Sequence, residues 1–197
     1  MDDKKDFKKQ RIKSYFLDAT KEIIVNEGVE NVTVRKVADI TGYSYPTLYN
    51  YFTDLNELLW DVKRHMIKHD LVEVISRRLP KKLLDIKDIK KLFKVYIEYY
   101  LQNPNIFKFF YFYQLNRPDN RNKDTESEMD FDAMHKQTFQ GFVADGTLQE
   151  KDVEAVSKIF IFAMHGMLML YFSNEDNLTE HNVYEDLDKM VDYLLTN

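Results

Sequence analysis

Apolar side chains recur every three or four residues along most of the chain, which is the spacing of helices with one buried face. The first such stripe runs from Ile12 to Ile23, and we expect its helix to end near Gly28. No segment alternates between apolar and polar residues as a half-buried strand would. The pattern therefore predicts an all-α fold of about nine helices. After the first helix, these are predicted at 34–40, 46–52, 54–79, 89–101, 107–115, 131–143, 153–172 and 183–195, with a polar loop at 117–130.

Three residues mark predicted helix starts. Thr33 is placed as an N-cap, and Ser44 followed by Pro46 opens a short helix, because first-turn amides have no partner within the helix. Asp54 and Glu57 have the spacing of a capping pair at the start of the next helix.

The composition agrees with long helices and narrows the classes of function. Gly (5) and Pro (4) are scarce in 197 residues, whereas strand-rich folds use many of both in turns. Cysteine is absent, which excludes disulfide frameworks, thiolate zinc sites and cysteine nucleophiles and suits the cytoplasm, where we expect the protein to act. The net charge of −5 excludes a uniformly basic coat for nucleic acid but allows a local basic surface.

Residues 159–174 form the longest uncharged stretch, and its 16 residues are fewer than the roughly 20 that cross a bilayer. The charged N-terminal residues are followed by no apolar core of the kind that signal peptides have. We therefore expect no membrane segment, and we interpret 153–172 as a helix buried on all sides.

The segment 33–52, TVRKVADITGYSYPTLYNYF, specifies two short helices joined by a tight turn that contains glycine, as in a helix-turn-helix. Ala38 is small enough to let the two helices cross closely, and Gly42 can adopt the left-handed conformation that ends the first. Leu48 and Phe52 are four residues apart and are expected to face inward.

The outer face of the second short helix then presents hydroxyls, an amide and aromatic rings, and no carboxylate. Asn50 can pair with an adenine edge in the major groove, and Tyr45 or Pro46 can pack on a thymine methyl. Helix-turn-helix geometry also occurs in domains that never contact DNA, and nine basic against eight acidic residues in 1–52 support DNA binding only weakly. The predicted DNA-binding residues are Thr33, Arg35, Lys36, Ser44, Tyr45, Pro46, Thr47, Tyr49, Asn50 and Tyr51.

The N-terminal third resembles the TetR/AcrR family of bacterial transcriptional repressors. The resemblance is carried by Val32-Thr33-Val34-Arg35, Gly42-x-Ser44, Thr47-Leu48-Tyr49, Tyr51-Phe52 and Glu57-Leu58-Leu59. It implies a three-helix DNA-binding domain in 1–53, an effector-binding and dimerisation domain in 54–197, and a homodimer on a palindromic operator. Two positions depart from the family pattern: Leu55 stands where a phosphate-contacting lysine is usual, and Tyr43 where a small aliphatic residue is common.

Two features of the remaining chain have both a functional and a structural interpretation. The apolar helix 153–172, with 183–195, could form half of an intersubunit four-helix bundle or pack in an ordinary core. Ten aromatic residues lie between Phe93 and Tyr113, and they could line a cavity for a lipophilic or cationic effector or only pack the core. The candidate ligand-binding residues are Tyr96, Tyr100, Phe110, Tyr113, Met164 and His165.

No catalytic constellation is apparent, and we expect neither an enzyme nor a cofactor. His65 and His69 lie one helical turn apart with Asp61 a turn earlier, but exposed residues at helical spacing explain this pattern better than a metal site, so none is predicted. The favoured hypothesis is a ligand-responsive DNA-binding repressor that forms a homodimer. The alternative is a TetR-like helical regulatory protein that acts through a protein partner rather than DNA.

Overall fold

The computed structural model describes residues 2–79, 85–118, 131–174 and 177–196. All regular secondary structure in these ranges is helical, so the predicted all-α class is confirmed. Helices α4 and α5 are joined by a π-helical turn, Ile67–Leu71, into one continuous helix, which leaves nine separate helices in the described ranges, as predicted. The bounds are α1 Asp2–Glu27, α2 Val34–Thr41, α3 Tyr45–Tyr49, α4 Leu55–Met66, α5 Val72–Arg78, α6 Ile86–Gln102, α7 Pro104–Tyr111, α8 Phe131–Ala144, α9 Val153–Ser173 and α10 Glu180–Thr196.

The described chain divides into two compact units. The first contains residues 2–72 and 103–118, and in it α1 packs against α2, α4 and α7. Helix α7 is fixed to α1 in part by the Asn105 amide, which donates to the Val25 carbonyl at 3.0 Å. The unit of the helix-turn-helix therefore includes α7, which begins only at Pro104, while the functional boundary at 53/54 stays a prediction.

The second unit contains residues 73–79, 85–102, 131–174 and 177–196. Helix α9 packs against α6, α8 and α10, and α6 packs along α10. Its centre is a stack of three rings, with Phe160 at 4.8 Å from Phe93 and 5.2 Å from Phe139 between ring centroids. Burial of these large side chains is the main favourable contribution to the stability of this unit.

Several predicted helix bounds differ from the observed ones: α6 and α10 each begin three residues earlier than predicted, and α3 and α7 differ as follows. Helix α3 ends at Tyr49 rather than Phe52, because the amides of Asn50 and Tyr51 turn back to carbonyls only three residues earlier. Helix α7 begins at Pro104 and ends at Tyr111 rather than spanning 107–115, since a proline fits the first helical turn, where no amide is needed. The predicted loop 117–130 lies outside the described residues from 119 onward.

The packing of one chain does not bury 153–172 on all sides, and the predicted cover by a second copy stays a prediction. Helix α9 buries Phe160, Met164 and Leu168, but Phe162 is 70% exposed and Ile159 45%. Among the described residues, α6, α8 and α10 pack against α9 and leave Phe162 and Ile159 exposed. The 24 residues Glu150–Ser173 are long and apolar enough to cross a membrane, criteria that core helices of soluble proteins also meet.

Candidate nucleic-acid interface

The turn between α2 and α3 is built by local capping interactions. The Thr33 hydroxyl accepts the amide hydrogen bond of Lys36 at 3.1 Å, which opens α2, and Gly42 ends α2 with φ of 72°. The Ser44 hydroxyl accepts the Thr47 amide at 3.3 Å and opens α3, which has proline in its first turn. The predicted caps at Thr33 and Ser44 and the predicted glycine stop are thus confirmed.

The inner face of the helix-turn-helix is fixed by aromatic packing on α1. Leu48 and Phe52 are buried, as predicted, and Phe16 of α1 is fully buried beside them. The Phe16 ring lies 5.5 Å from Tyr43, 5.7 Å from Tyr51 and 6.3 Å from Phe52 between centroids. One side chain of α1 therefore contacts the turn before α3 and the segment after it.

The outer face of α3 is exposed to solvent. Tyr45 is 60% exposed and Tyr49 50%, while Leu48 between them is fully buried. Pro46 and Asn50 are exposed as well. Of the ten predicted DNA-binding residues, seven are exposed, and Lys36, Thr47 and Tyr51 are half-buried.

Several of the predicted DNA-binding side chains also hold the local structure. The Lys36 ammonium is paired with Glu27. The hydroxyls of Ser44 and Thr47 lie 2.8 Å apart and bond to each other. The ring of Tyr51 packs on Phe16, which leaves its phenol end as the part available to a partner. No side-chain interaction of this kind with the described residues is made by Asn50, Tyr45 or Tyr49.

The link from α3 to α4 is a network of two carboxylates, Asp54 and Glu57, of which Glu57 is buried. The Asp54 carboxylate accepts the Glu57 amide at 2.7 Å, as the predicted capping pair requires. The Glu57 carboxylate, only 5% exposed, accepts the amide and hydroxyl of Thr53 at 2.6 Å and 2.8 Å. The reciprocal bond thus reaches Thr53 rather than the cap residue itself, which ties the residue after Phe52 to the first turn of α4.

Residues 16–61, which span this architecture, match the family model described as "Bacterial regulatory proteins, tetR family". This part of the chain is a TetR-family domain. No curated protein matches the sequence.

Solved structures share the fold over nearly the whole chain. A protein with unknown function from Rhodococcus sp. RHA1 aligns with a TM-score of 0.75 at 15% identity and covers 94% of each chain. A putative TetR-family transcriptional regulator from Mesorhizobium loti aligns with a TM-score of 0.67 at 16% identity, covering 95% of this chain and 96% of the other. The TetR-family repressor FadR of Thermus thermophilus, in complex with lauroyl-CoA, aligns with a TM-score of 0.65 at 17% identity and 93% coverage of each chain. The chain therefore shares the fold of these three structures beyond residue 61 as well.

The two departures from the TetR pattern occupy defined places. Tyr43 is half-buried, and its ring packs on Phe16, so the larger side chain fills space in the domain core. Leu55 is the first residue of α4 and carries no charge that could contact a phosphate.

A half-buried cation on α4, Lys63, is a feature of the first unit that the sequence does not mark. The Lys63 ammonium donates to the Phe110 carbonyl at 2.7 Å and lies 5.5 Å from the centre of the Phe110 ring. Burial lowers the pKa of Lys63 from its ordinary value. The contact joins residues 47 positions apart, so only the fold brings them together.

The predicted ligand-binding residues fall into two groups. In the second unit, the Tyr96 hydroxyl and His165 Nε2 are 2.8 Å apart, Tyr100 lies 5.0 Å from Tyr96 between ring centroids, and Met164 is buried. The other two residues, Phe110 and Tyr113, belong to the first unit. That the six line one cavity stays a prediction.

The histidine pair on α4 and the π-helical turn is arranged differently from a metal site. The rings of His65 and His69 are 4.6 Å apart, and burial, with the charge of His69, lowers the pKa of His65. Asp61 pairs with Lys13 at 2.6 Å, and His65 Nε2 lies 3.5 Å from an Asp18 carboxylate oxygen. In the part of the chain that the structure describes, no three metal-ligating side chains are grouped.

Proposed function

We propose that this protein is a ligand-responsive DNA-binding transcriptional regulator that acts in the cytoplasm as a repressor and is released from a palindromic operator by a small-molecule effector. The observation that carries the proposal is the outer face of α3. This face leaves its polar and aromatic side chains uncovered while the opposite face is buried on α1. A recognition helix needs this division, because one side must anchor it and the other must enter a groove.

The exposed groups have the chemistry of major-groove readout. The Asn50 side-chain amide can donate from Nδ2 to adenine N7 and accept at Oδ1 from the adenine N6 amino group, and Tyr45 and Pro46 offer apolar surfaces for a thymine methyl. The Tyr49 hydroxyl suits a phosphate oxygen. Arg35, exposed in the first turn of α2, supplies a cation for the flanking strand.

The uncovered face of α9 supports a homodimer. Exposed or half-buried residues recur along α9 at steps of four and three, and two of them are small enough for a second helix to approach closely. These residues, which we call the α9 stripe, are Ala155, Ile159, Phe162, Gly166 and Met169. A second copy offers an identical stripe, and a two-fold pair would place two recognition helices about 34 Å apart, one turn of B-DNA.

The effector is proposed to be lipophilic. In the second unit, Tyr96, Tyr100 and Met164 are buried apolar candidates for contact with an effector, and the Tyr96–His165 hydrogen bond would supply a polar handle. The bound lauroyl-CoA of the Thermus thermophilus neighbour shows that this fold can accept an acyl chain, and we extend that chemistry to this chain as part of the proposal. Binding that favours one conformation by 1–3 kcal/mol would weaken operator binding roughly 5- to 150-fold.

DNA binding is tested by mobility shift on the region upstream of the protein's own gene, with selection from random duplexes in parallel. We expect Asn50→Ala to relax sequence preference and Tyr49→Phe to weaken binding to all sequences alike. Gln140→Ala removes an exposed amide from the second unit and serves as the control, with binding unchanged. Failure of the wild-type dimer to bind any duplex at low salt would contradict the proposal.

The dimer is tested by sedimentation of Phe162→Glu. Introducing a charge at this 70% exposed position of the α9 stripe should convert the dimer to a monomer, because the charge would be desolvated in the interface. Lys151→Glu places a carboxylate just before α9 but outside the stripe and should leave the dimer intact. A Phe162→Glu protein that sediments like the wild type would show that the stripe is not the interface.

A further inference from the structure

An open groove of about 600 Å³ runs along α6 in the second unit. Val95 contributes to its floor, and the long aliphatic stems of cationic residues form most of the rest. Its five cations are Arg78, Lys87, Lys90, Lys91 and Lys94, in a protein whose net charge is −5.

Three of these cations are neutralised by carboxylates at the edges of the groove. Each carboxylate pairs with one of the cations, and the acid that lines the groove, Glu98, has its second oxygen bonded to Gln102 at 3.1 Å. The pairs are Arg78–Glu98 at 2.5 Å, Lys90–Asp192 at 2.6 Å and Lys94–Asp188 at 2.6 Å. These ion pairs hold the three cations in place along the groove.

Lys87 and Lys91 are the two cations left over. Both are exposed, and the ammonium group of neither forms a hydrogen bond or ion pair with any of the described residues. They lie four residues apart on α6, so their side chains project from the same face, where like charges destabilise a helix. Lys87 is also in the first turn of α6, where the helix dipole disfavours a cation. In the protein without a ligand, both positions work against helix stability.

We propose that this groove, which we call the α6 lysine groove, binds a small molecule that carries two or more adjacent phosphate groups. Two uncompensated ammonium groups one helical turn apart match two phosphates of a chain better than a single one. The volume lies in the range of small-molecule sites, and the apolar floor can hold a base, ring or chain attached to the phosphates. The site is independent of the proposed DNA contact and of the α9 stripe.

The test is calorimetric titration of the full chain, in whichever oligomeric state it adopts, at physiological salt. The titrants are orthophosphate, pyrophosphate, tripolyphosphate and a nucleoside triphosphate. We expect affinity to rise with the number of linked phosphates. Tighter binding of the nucleotide than of tripolyphosphate would identify an organic ligand, and equal binding would identify free polyphosphate; both outcomes support the site.

Lys87→Ala/Lys91→Ala is the decisive variant. It should weaken tripolyphosphate binding about tenfold, since each exposed ion pair contributes up to a few-fold. Lys108→Ala/Lys151→Ala, which removes the same charge from exposed positions outside the groove, should change it less than twofold. Thermal unfolding gives a second readout. Without ligand, the groove variant should unfold at the wild-type temperature or above. Tripolyphosphate should raise the unfolding temperature of the wild type but not that of the groove variant.

Three results would overturn the proposal. One is the absence of measurable heat with any phosphate compound. Another is equal weakening in the groove and control variants, which would indicate nonspecific attraction. The third is a groove variant that loses duplex DNA binding while its tripolyphosphate affinity is unchanged, which would assign the lysines to the DNA backbone.

Discussion

Phe16 offers the sharpest test of how the helix-turn-helix is held together. The change Phe16→Leu keeps a buried apolar side chain at this fully buried position but removes the aromatic ring. Three ring contacts disappear, those to Tyr43, Tyr51 and Phe52. Each aromatic pair contributes roughly 0.5–1.5 kcal/mol beyond burial, so we expect the free energy of unfolding of the first unit to fall by about 2 kcal/mol.

Urea unfolding followed by tryptophan fluorescence measures this change. The single tryptophan, Trp60, lies on α4 in the same compact unit and therefore reports its unfolding. With a denaturant slope of about 2 kcal/mol/M, the midpoint should fall by roughly 1 M. Phe7→Leu at a 70% exposed site on α1 is the matched control and should leave the midpoint unchanged. If Phe16→Leu behaves like that control, the ring cluster does not stabilise the domain as argued.

Three further outcomes follow from local interactions. Ser44→Ala should lower stability by about 1 kcal/mol in the same urea assay, because α3 loses its N-cap. Glu57→Ala should cost about 2 kcal/mol, because two bonds from Thr53 to a buried carboxylate are lost. Burial and the charge of Glu180 raise the pKa of Tyr184 to about 12, so ultraviolet titration of wild type against Tyr184→Phe should assign a phenol that ionises near pH 12 to this residue. Since the folded state binds that proton more tightly than the unfolded state, its stabilising contribution is complete below pH 10 and is lost as the pH rises toward about 12.

Local sequence determined the helix-turn-helix in detail. Thr33, Ser44 and Asp54 cap their helices where the sequence places them, and Gly42 takes the left-handed conformation that stops α2. These signals depend on atoms within four residues of one another, so they can be read without knowledge of the fold. The inward direction of Leu48 follows in the same way from helical periodicity.

Contacts between distant segments were decided only by the tertiary structure. Pro104 allowed α7 to start three residues earlier than expected, and the placement of α7 in the unit of α1 and α4 has no signal in the sequence. The pairing of Lys63 with a carbonyl 47 residues away is of the same kind. Hydrophobic periodicity predicts that one face of a helix is buried. It does not identify the segment that covers this face, because apolar burial is not directional. For this reason the sequence of α9 predicted burial, and only the packing of the other helices shows which of its sides the chain itself leaves open.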